Sequence, residues 1–533
     1  MADSLNPAWC QIINKEDSIA SVEIPVTHGI YHFNLLVVAE NDSTWYKTFV
    51  KHDAQGVHAF DIDTAYPSWM DPAIIYQITP YAFVKNGTFE DITAKLHEIK
   101  NLGINTLLLQ PVFKTFFGGQ GYDVTDYLSL NPDLGTEKQL QHLIATAKAL
   151  EIRVLFDVVL NHTSIHHPYA KDRVKYGVQS HYYDYYQHEK DGKPYSSFYN
   201  RDEHGFINYF WEHLVNLNYQ HEEVQRWMLE VCKYWVREFD IDGYRFDAIW
   251  GVNARMPSFA KRLRTELKSI KPDVLLLAED KGSVAEVFES GFDAAYDWTS
   301  DTTWVSQWSW EYEYEARKSH TLFNFPKVNE RGEMLSQALF YQGGNGHRKL
   351  RYIENNDLPR FIHGHGLAQT KMAAALLFSL PGIPMLYNGQ EIGFRDHPYS
   401  TNAIFYRGRS IQSLDEEGLF SYYQNLISIH KKYPALSDTA MKNISVSPDE
   451  AIVAFHRWKD DEHFIIVVNL DNTEANANID LREVITQNAA SENYQLKDVL
   501  ADTVFKSQKN ASPIKIPMKG YSVRWLLLKK PSI

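Results

Sequence analysis

Four acidic residues set the chemistry this 533-residue sequence can support: Asp157, Asp247, Glu279 and Asp357. In Gly243-Tyr244-Arg245-Phe246-Asp247-Ala248, Arg245 and Asp247 are two residues apart, so in extended chain both side chains point to one face and the guanidinium holds the carboxylate ionised. Asp247 is thereby a candidate nucleophile. Taken alone, the stretch also reads as an ordinary ion pair at a strand end. Glu279 follows the apolar run Leu275-Leu276-Leu277-Ala278, where desolvation and nearby anions can raise its pKa and keep it protonated. Asp280 reads as its exposed neighbour. Asp357 ends Glu354-Asn355-Asn356-Asp357, which by itself reads as a cap or turn. Brought together, an attacking carboxylate, a protonated carboxyl and a further negative charge are what glycosidic cleavage through an oxocarbenium-like transition state needs.

The elements that must position these acids are legible from position 72 onward, where short apolar runs alternate with helical periodicity in the manner of parallel βα units. Strands are expected over 74–78, 106–109, 154–159, around Arg245 and Asp247, and over 274–277, 293–298, 351–353 and 384–387; helices are expected over 88–102, 136–150 and 415–432. Eight such units predict an α/β fold, a (β/α)8 TIM barrel, which carries its chemistry at the C-terminal strand ends. An open doubly wound sheet would want a Gly-rich phosphate loop after its first strand, and Ile78-Thr79-Pro80-Tyr81 is not one. The expected organisation is an N-terminal β domain over 1–70, a barrel over 71–434 and a C-terminal β-sandwich-like domain over 435–533. The barrel includes an excursion after strand three, 164–218, rich in Tyr and His; long ordered loops of this kind tend to carry function. The N-terminal domain reads as a packing or dimerisation module, so a homo-oligomer would form through it.

Composition narrows the partners. With 53 Lys and Arg against 67 Asp and Glu the net charge is −14, which repels nucleic acid and anionic membrane. A neutral substrate fits best, and 32 Tyr and 13 Trp supply flat apolar faces suited to sugar rings. The two cysteines, Cys10 and Cys232, suggest neither a disulfide framework nor a zinc site. Neither a signal-peptide pattern nor a bilayer-spanning apolar stretch is seen, so a cytoplasmic location is expected.

The stretches Asp157-Val158-Val159-Leu160-Asn161-His162, Gly243 to Ala248, Leu277-Ala278-Glu279 and Glu354-Asn355-Asn356-Asp357 resemble, in order, the four conserved stretches of the alpha-amylase family, family 13 of the glycoside hydrolases. Gly121-Tyr122-Asp123-Val124-Thr125-Asp126-Tyr127 and Gly382-Ile383-Pro384-Met385-Leu386-Tyr387-Asn388-Gly389-Gln390-Glu391 are similar to two more. The resemblance implies a retaining enzyme acting on α-linked oligosaccharides or glucans, with Asp247 as nucleophile, Glu279 as acid/base and Asp357 as transition-state stabiliser. It implies that Tyr122 stacks under the sugar, that His162 and Arg245 hydrogen-bond around it, and that Asp157 orients Arg245.

This sequence departs from the family pattern in four places. Asn356 replaces the usual His before the last Asp; it is a substrate-binding candidate whose amide can donate and accept hydrogen bonds but cannot carry charge. Trp250-Gly251 replaces Lys-His after the nucleophile, so leaving-group contacts should differ and Trp250 becomes a substrate-binding candidate. Gly119 stands where exo-acting α-glucosidases have Asp, and Leu214-Val215-Asn216-Leu217-Asn218 matches no familiar subgroup pattern. No cofactor is required; Asn161 and Asn216 are candidate oxygen ligands for Ca2+ as in many amylases, though two neutral amides are a weak donor set for a hard cation. A transglycosylase using the same covalent intermediate is the alternative within the enzyme class. A silent saccharide-binding protein on this fold is the alternative outside it, and retention of all three carboxylates argues against that.

Overall fold

The computed structural model describes residues 12–16, 19–22, 27–39, 42–117, 120–188, 200–209, 211–298, 322–323, 325–341, 348–482, 484, 494–507 and 513–529. Cys10 and Gly119 therefore lie outside the described residues. Eight parallel strands close into a barrel: β1 (Ile75–Ile78), β2 (Thr106–Leu109), β3 (Arg153–Val159), β4 (Gly243–Asp247), β5 (Leu275–Lys281), β6 (Ala294–Tyr296), β7 (Lys349–Arg351) and β8 (Ile383–Tyr387). Each strand pairs with its neighbours in sequence, and β8 closes on β1.

Alternation along the strands sorts side chains into two buried sets. Tyr76, Ile78, Leu107, Leu109, Val154, Phe156, Tyr244, Phe246 and Leu276 pack outward in the layer shared with the helices. Ile75, Leu108, Leu155, Leu275, Leu277, Leu350 and Met385 fill the interior. Leu155 faces Gly243 across β3 and β4, and Gly243 faces Leu275 across β4 and β5. Two residues further along, Asp157 faces Arg245 and Arg245 faces Leu277, so period-two geometry aims the acid and the arginine up the same interior. Each fully buried Leu or Ile contributes about 1.5–3 kcal/mol, and these apolar layers offset the several kcal/mol that desolvating a buried ion pair costs. Gly243 is required for close approach, because a Cβ there would lie 2.5 Å from the Leu275 carbonyl oxygen.

The expected helix over 88–102 is two helices, Phe89–Thr93 and Leu96–Leu102. The seventh strand lies upstream of its expected place, ending at Arg351, because Tyr352 and Ile353 already belong to the buried turn that carries Asp357. Strand β5 runs on past Leu277 and takes in Glu279 and Asp280. Asp280 is consequently not exposed: it is buried and accepts from Asn253 Nδ2 at 2.9 Å. The excursion is anchored at its base by pairing of His162–Ser164 with Leu214–Asn216. Its Tyr-rich run packs largely on itself, Tyr182 stacking on Tyr169 at 3.9 Å and Tyr186 edge-on to Phe206.

N-terminal to the barrel, strands Gly29–Ala39, Asp42–Asp53 and Gly56–Ala59 form an antiparallel sheet. C-terminal to it are antiparallel sheets of six and three strands, joined face to face by a core that includes Ile465, Val467, Ala477, Ile479, Leu496 and Ile516. Among the described residues no helix is long and apolar enough to cross a membrane.

Candidate active site

Strand β4 delivers Arg245 and Asp247 to the C-terminal mouth of the barrel, where the side chain of Arg245 is completely buried. Its Nη1 donates to Asp157 Oδ1 and Oδ2, both at 2.8 Å, and to Asp247 Oδ1 at 2.9 Å. Its Nη2 lies 2.6 Å from Glu279 Oε1, an ion-pair distance off the line of a good hydrogen bond, and Nε donates to the Tyr296 hydroxyl. One guanidinium thus spans three carboxyls from β3, β4 and β5. The pairing of Phe246 with Ala278, continued by one residue, sets Asp247 level with Glu279.

The turn after Asp247 is strained. Ala248 has φ 44° and ψ 33°, a left-handed conformation that a residue with a side chain rarely adopts, and its N–H donates to Glu279 Oε2 at 2.6 Å. Asp357 sits at the end of the β7 turn, and Asn355 Oδ1 accepts from its backbone N–H at 2.9 Å. Its own Oδ1 accepts from the Tyr399 hydroxyl at 3.1 Å.

These environments separate the three acids. Burial raises all of them. For Asp247 the adjacent guanidinium opposes that rise. Glu279 is held well above the ordinary carboxyl range by burial, against the pull of Arg245 and with the added push of the Asp247 and Asp357 charges. Asp357 is pushed up to about 6, burial outweighing Arg245 and the Tyr399 and Asn356 hydrogen bonds. Carboxyls held apart in this way suit different roles, one ionised and one protonated.

Tyr122 is half-buried, and its hydroxyl donates to Asp157 Oδ2 at 2.8 Å and accepts from Gln110 Nε2 at 2.9 Å and Asn356 Nδ2 at 3.2 Å. Asn356 is buried, and its Oδ1 accepts from Gln77 Nε2 at 2.8 Å. His162 is also buried. Its Nδ1 can only accept from Asn161 Nδ2 at 3.1 Å, so Nε2 carries the proton and donates to the Tyr122 carbonyl at 3.2 Å. Burial lowers its pKa to about 3, which keeps the ring neutral. Trp250 lies on the helix Ile249–Arg255, 4% exposed, with its ring 4.8 Å from that of Tyr209.

Asn161 and Asn216 do come together, Asn161 Nδ2 donating to Asn216 Oδ1 at 3.3 Å, and Asn216 Nδ2 donates in turn to Gln187. The Asn161 oxygen faces Arg255, a residue that no local pattern singles out. Gln77, Gln120, whose Nε2 donates to the Asn356 carbonyl at 3.2 Å, and Tyr399 join the site although residue type and spacing do not single them out. Gln77 does carry a local signal, a polar residue inside an apolar barrel strand; Tyr399 carries none. Phe116 and Phe117, whose N–H groups cap Asp123, and Trp211, edge-on to Tyr399 at 6.3 Å, leave large parts of their rings exposed.

A closed parallel barrel with Asp247, Glu279 and Asp357 set around a buried arginine at its C-terminal mouth defines the glycoside-hydrolase class of site. The family comparison gives the rest: residues 44–417 match the alpha amylase catalytic domain, and the chain belongs to the alpha-amylase family. It is 27% identical over 496 residues to alpha-amylase 3 of Dictyoglomus thermophilum, covering 83% of this chain and 91% of that protein. It is 26% identical over 445 residues to a cyclomaltodextrinase of Geobacillus thermopakistaniensis, covering 81% of this chain and 70% of that one. The fold is also that of the Geobacillus thermoleovorans alpha-amylase solved with acarbose, with a TM-score of 0.67, 22% identity, and coverage of 87% of this chain and 99% of that one.

Proposed function

We propose that this protein cleaves α-glucosidic bonds of oligosaccharides or α-glucans with retention of configuration. Asp247 attacks the anomeric carbon while Glu279 gives its proton to the glycosidic oxygen, so the C–O bond breaks, the leaving sugar departs as an alcohol and a glycosyl ester forms on Asp247. Water then attacks the same carbon, Glu279 takes back a proton as base, and Asp247 is released. Asp357 offsets the positive charge that develops on the ring, and the Tyr122 face supports the sugar.

The observation that carries this reading is the single Arg245 guanidinium reaching from Asp247 to Glu279. It brings the two carboxyls to one place while burial holds Glu279 as the stronger proton holder. The substrate class is supported by relatives named for amylase and cyclomaltodextrinase activity. The test is ¹H NMR of the first product formed from an α-linked maltooligosaccharide, read before mutarotation: an α-anomer supports direct attack by Asp247, and a β-anomer rejects it.

A further inference from the structure

We infer that Arg255 is the resident cation between the excursion and strand β4, filling with a guanidinium the place where a calcium ion would otherwise bind Asn161. The inference goes beyond the proposed function, since it concerns what holds the site together. Arg255 ends the helix after Asp247 and is buried. Its Nη2 donates to Asn161 Oδ1 at 2.8 Å and to the Asn161 carbonyl at 3.2 Å, its Nη1 donates to the Tyr209 hydroxyl, and the guanidinium lies over the Tyr209 and Tyr219 rings. Among the described residues no carboxylate forms an ion pair with it. The surroundings are those of a cation site: amide, carbonyl and phenol oxygens, with two aromatic faces.

Those same contacts do not fit calcium. Ca2+ takes six to eight oxygens, carboxylates prominent among them. Here both Asn161 oxygens accept from Arg255, and Asn216 Oδ1 accepts from the Asn161 amide. Among the described residues no cluster of three or more His, Cys, Asp or Glu could hold a metal. A dication beside a buried guanidinium would also meet like-charge repulsion. Gly251 supplies independent support, because a Cβ there would lie 2.6 Å from Asn161 Oδ1 and 2.6 Å from the Tyr209 ring. The residue standing where typical family members have His is thus the one that leaves room for Asn161 and Tyr209 to meet the guanidinium.

A fixed planar donor does something a dissociable ion does not: it sets amide orientation permanently. With Oδ1 held by Arg255, the Asn161 NH2 must face His162 Nδ1, which makes Nε2 the protonated nitrogen and directs it to the Tyr122 carbonyl. Arg255 is therefore a positioning residue that acts on Tyr122 through Asn161 and His162.

The experiment is thermal unfolding and calcium titration calorimetry on the full chain, with Arg255→Met and Arg255→Lys. The wild-type Tm should be the same in excess EDTA and in millimolar CaCl2, with no calcium-binding heat. Arg255→Met should lower Tm by about 5 °C, on the scale of losing one buried polar cluster, and Arg255→Lys should recover part of it. A wild-type Tm that falls in EDTA or rises with calcium overturns the inference, as does an Arg255→Met protein as stable as wild type. If Arg255→Met does not fold, the wild-type calcium arms and Arg255→Lys decide. As a positioning readout, Arg255→Lys should raise KM by a larger factor than it lowers kcat. This arm alone rests on Tyr122 supporting the sugar, so its failure with the thermal arms intact would count against the proposed function.

Discussion

Asn356 donates through Nδ2 to the Tyr122 hydroxyl at 3.2 Å, and the other end of the same amide accepts from Gln77 Nε2 on β1. The residue that departs from the family pattern therefore helps orient the aromatic ring beneath the expected sugar position. Asn356→His puts a longer, five-membered ring where a planar amide makes both contacts, so Tyr122 and Gln77 cannot both be kept. The ratio of kcat/KM between two α-linked substrates should shift by about 1–3 kcal/mol, the scale of an altered polar contact in a binding site. Steady-state kinetics on a maltooligosaccharide and an isomaltooligosaccharide check this. An equal factor on both substrates would mean that Asn356 does not set specificity.

Glu279→Gln removes the proton donor while preserving the shape of the side chain. Substrates with poor leaving groups need that proton and activated aryl or fluoride glycosides do not, so the loss should be ~100-fold or more for the former and much smaller for the latter. Parallel losses on both would move the acid role to another residue.

The pH profile should have two limbs. Asp357 must be ionised to stabilise positive charge, so activity is lost as pH falls through its raised value of about 6. Glu279 must be protonated, so activity is lost again as pH rises through its own higher value. The Tyr399 hydroxyl stabilises the ionised form of Asp357, and removing that donor raises the Asp357 pKa further. Tyr399→Phe should therefore move the acid limb of kcat/KM to higher pH and leave the alkaline limb in place. An unmoved acid limb would show that Asp357 does not set it.

The barrel was legible because its strands are short apolar runs ended by polar residues, and the same runs set Asp157 level with Arg245, Asp247 two residues further along, and Glu279 next to Ala278, the partner of Phe246. What lay beyond the sequence was mostly long-range. Arg255 meets Asn161 across 94 residues and Tyr399 meets Asp357 across 42, and nothing local announces either contact. Periodicity also misjudged Asp280: a polar residue after an apolar run reads as a loop, but β5 continues through it and Asn253 satisfies its carboxylate.

Gly243 gives a test of how the strand spacing supports the site. A Cβ at this position would press against the Leu275 backbone, 2.5 Å from the carbonyl oxygen and 2.8 Å from the nitrogen. Backbone cannot turn aside as a flexible side chain would, so β4 and β5 must move apart. Gly243→Ala should destabilise the protein by about 3 kcal/mol, the upper part of the usual range for overpacking, seen as a lower midpoint in urea at unchanged slope. The comparison is Gly364→Ala, on the exposed face of the helix Phe361–Leu377 with open space where its Cβ would go. There Ala should be neutral or stabilise by about 0.5–1 kcal/mol. Separation of β4 from β5 would also carry Arg245 and Asp247 away from Glu279, so Gly243→Ala should lose kcat at temperatures where it remains folded, whereas Gly364→Ala should keep it. A Gly243→Ala protein with wild-type midpoint and wild-type kcat would show that the carboxyl alignment does not depend on this close approach.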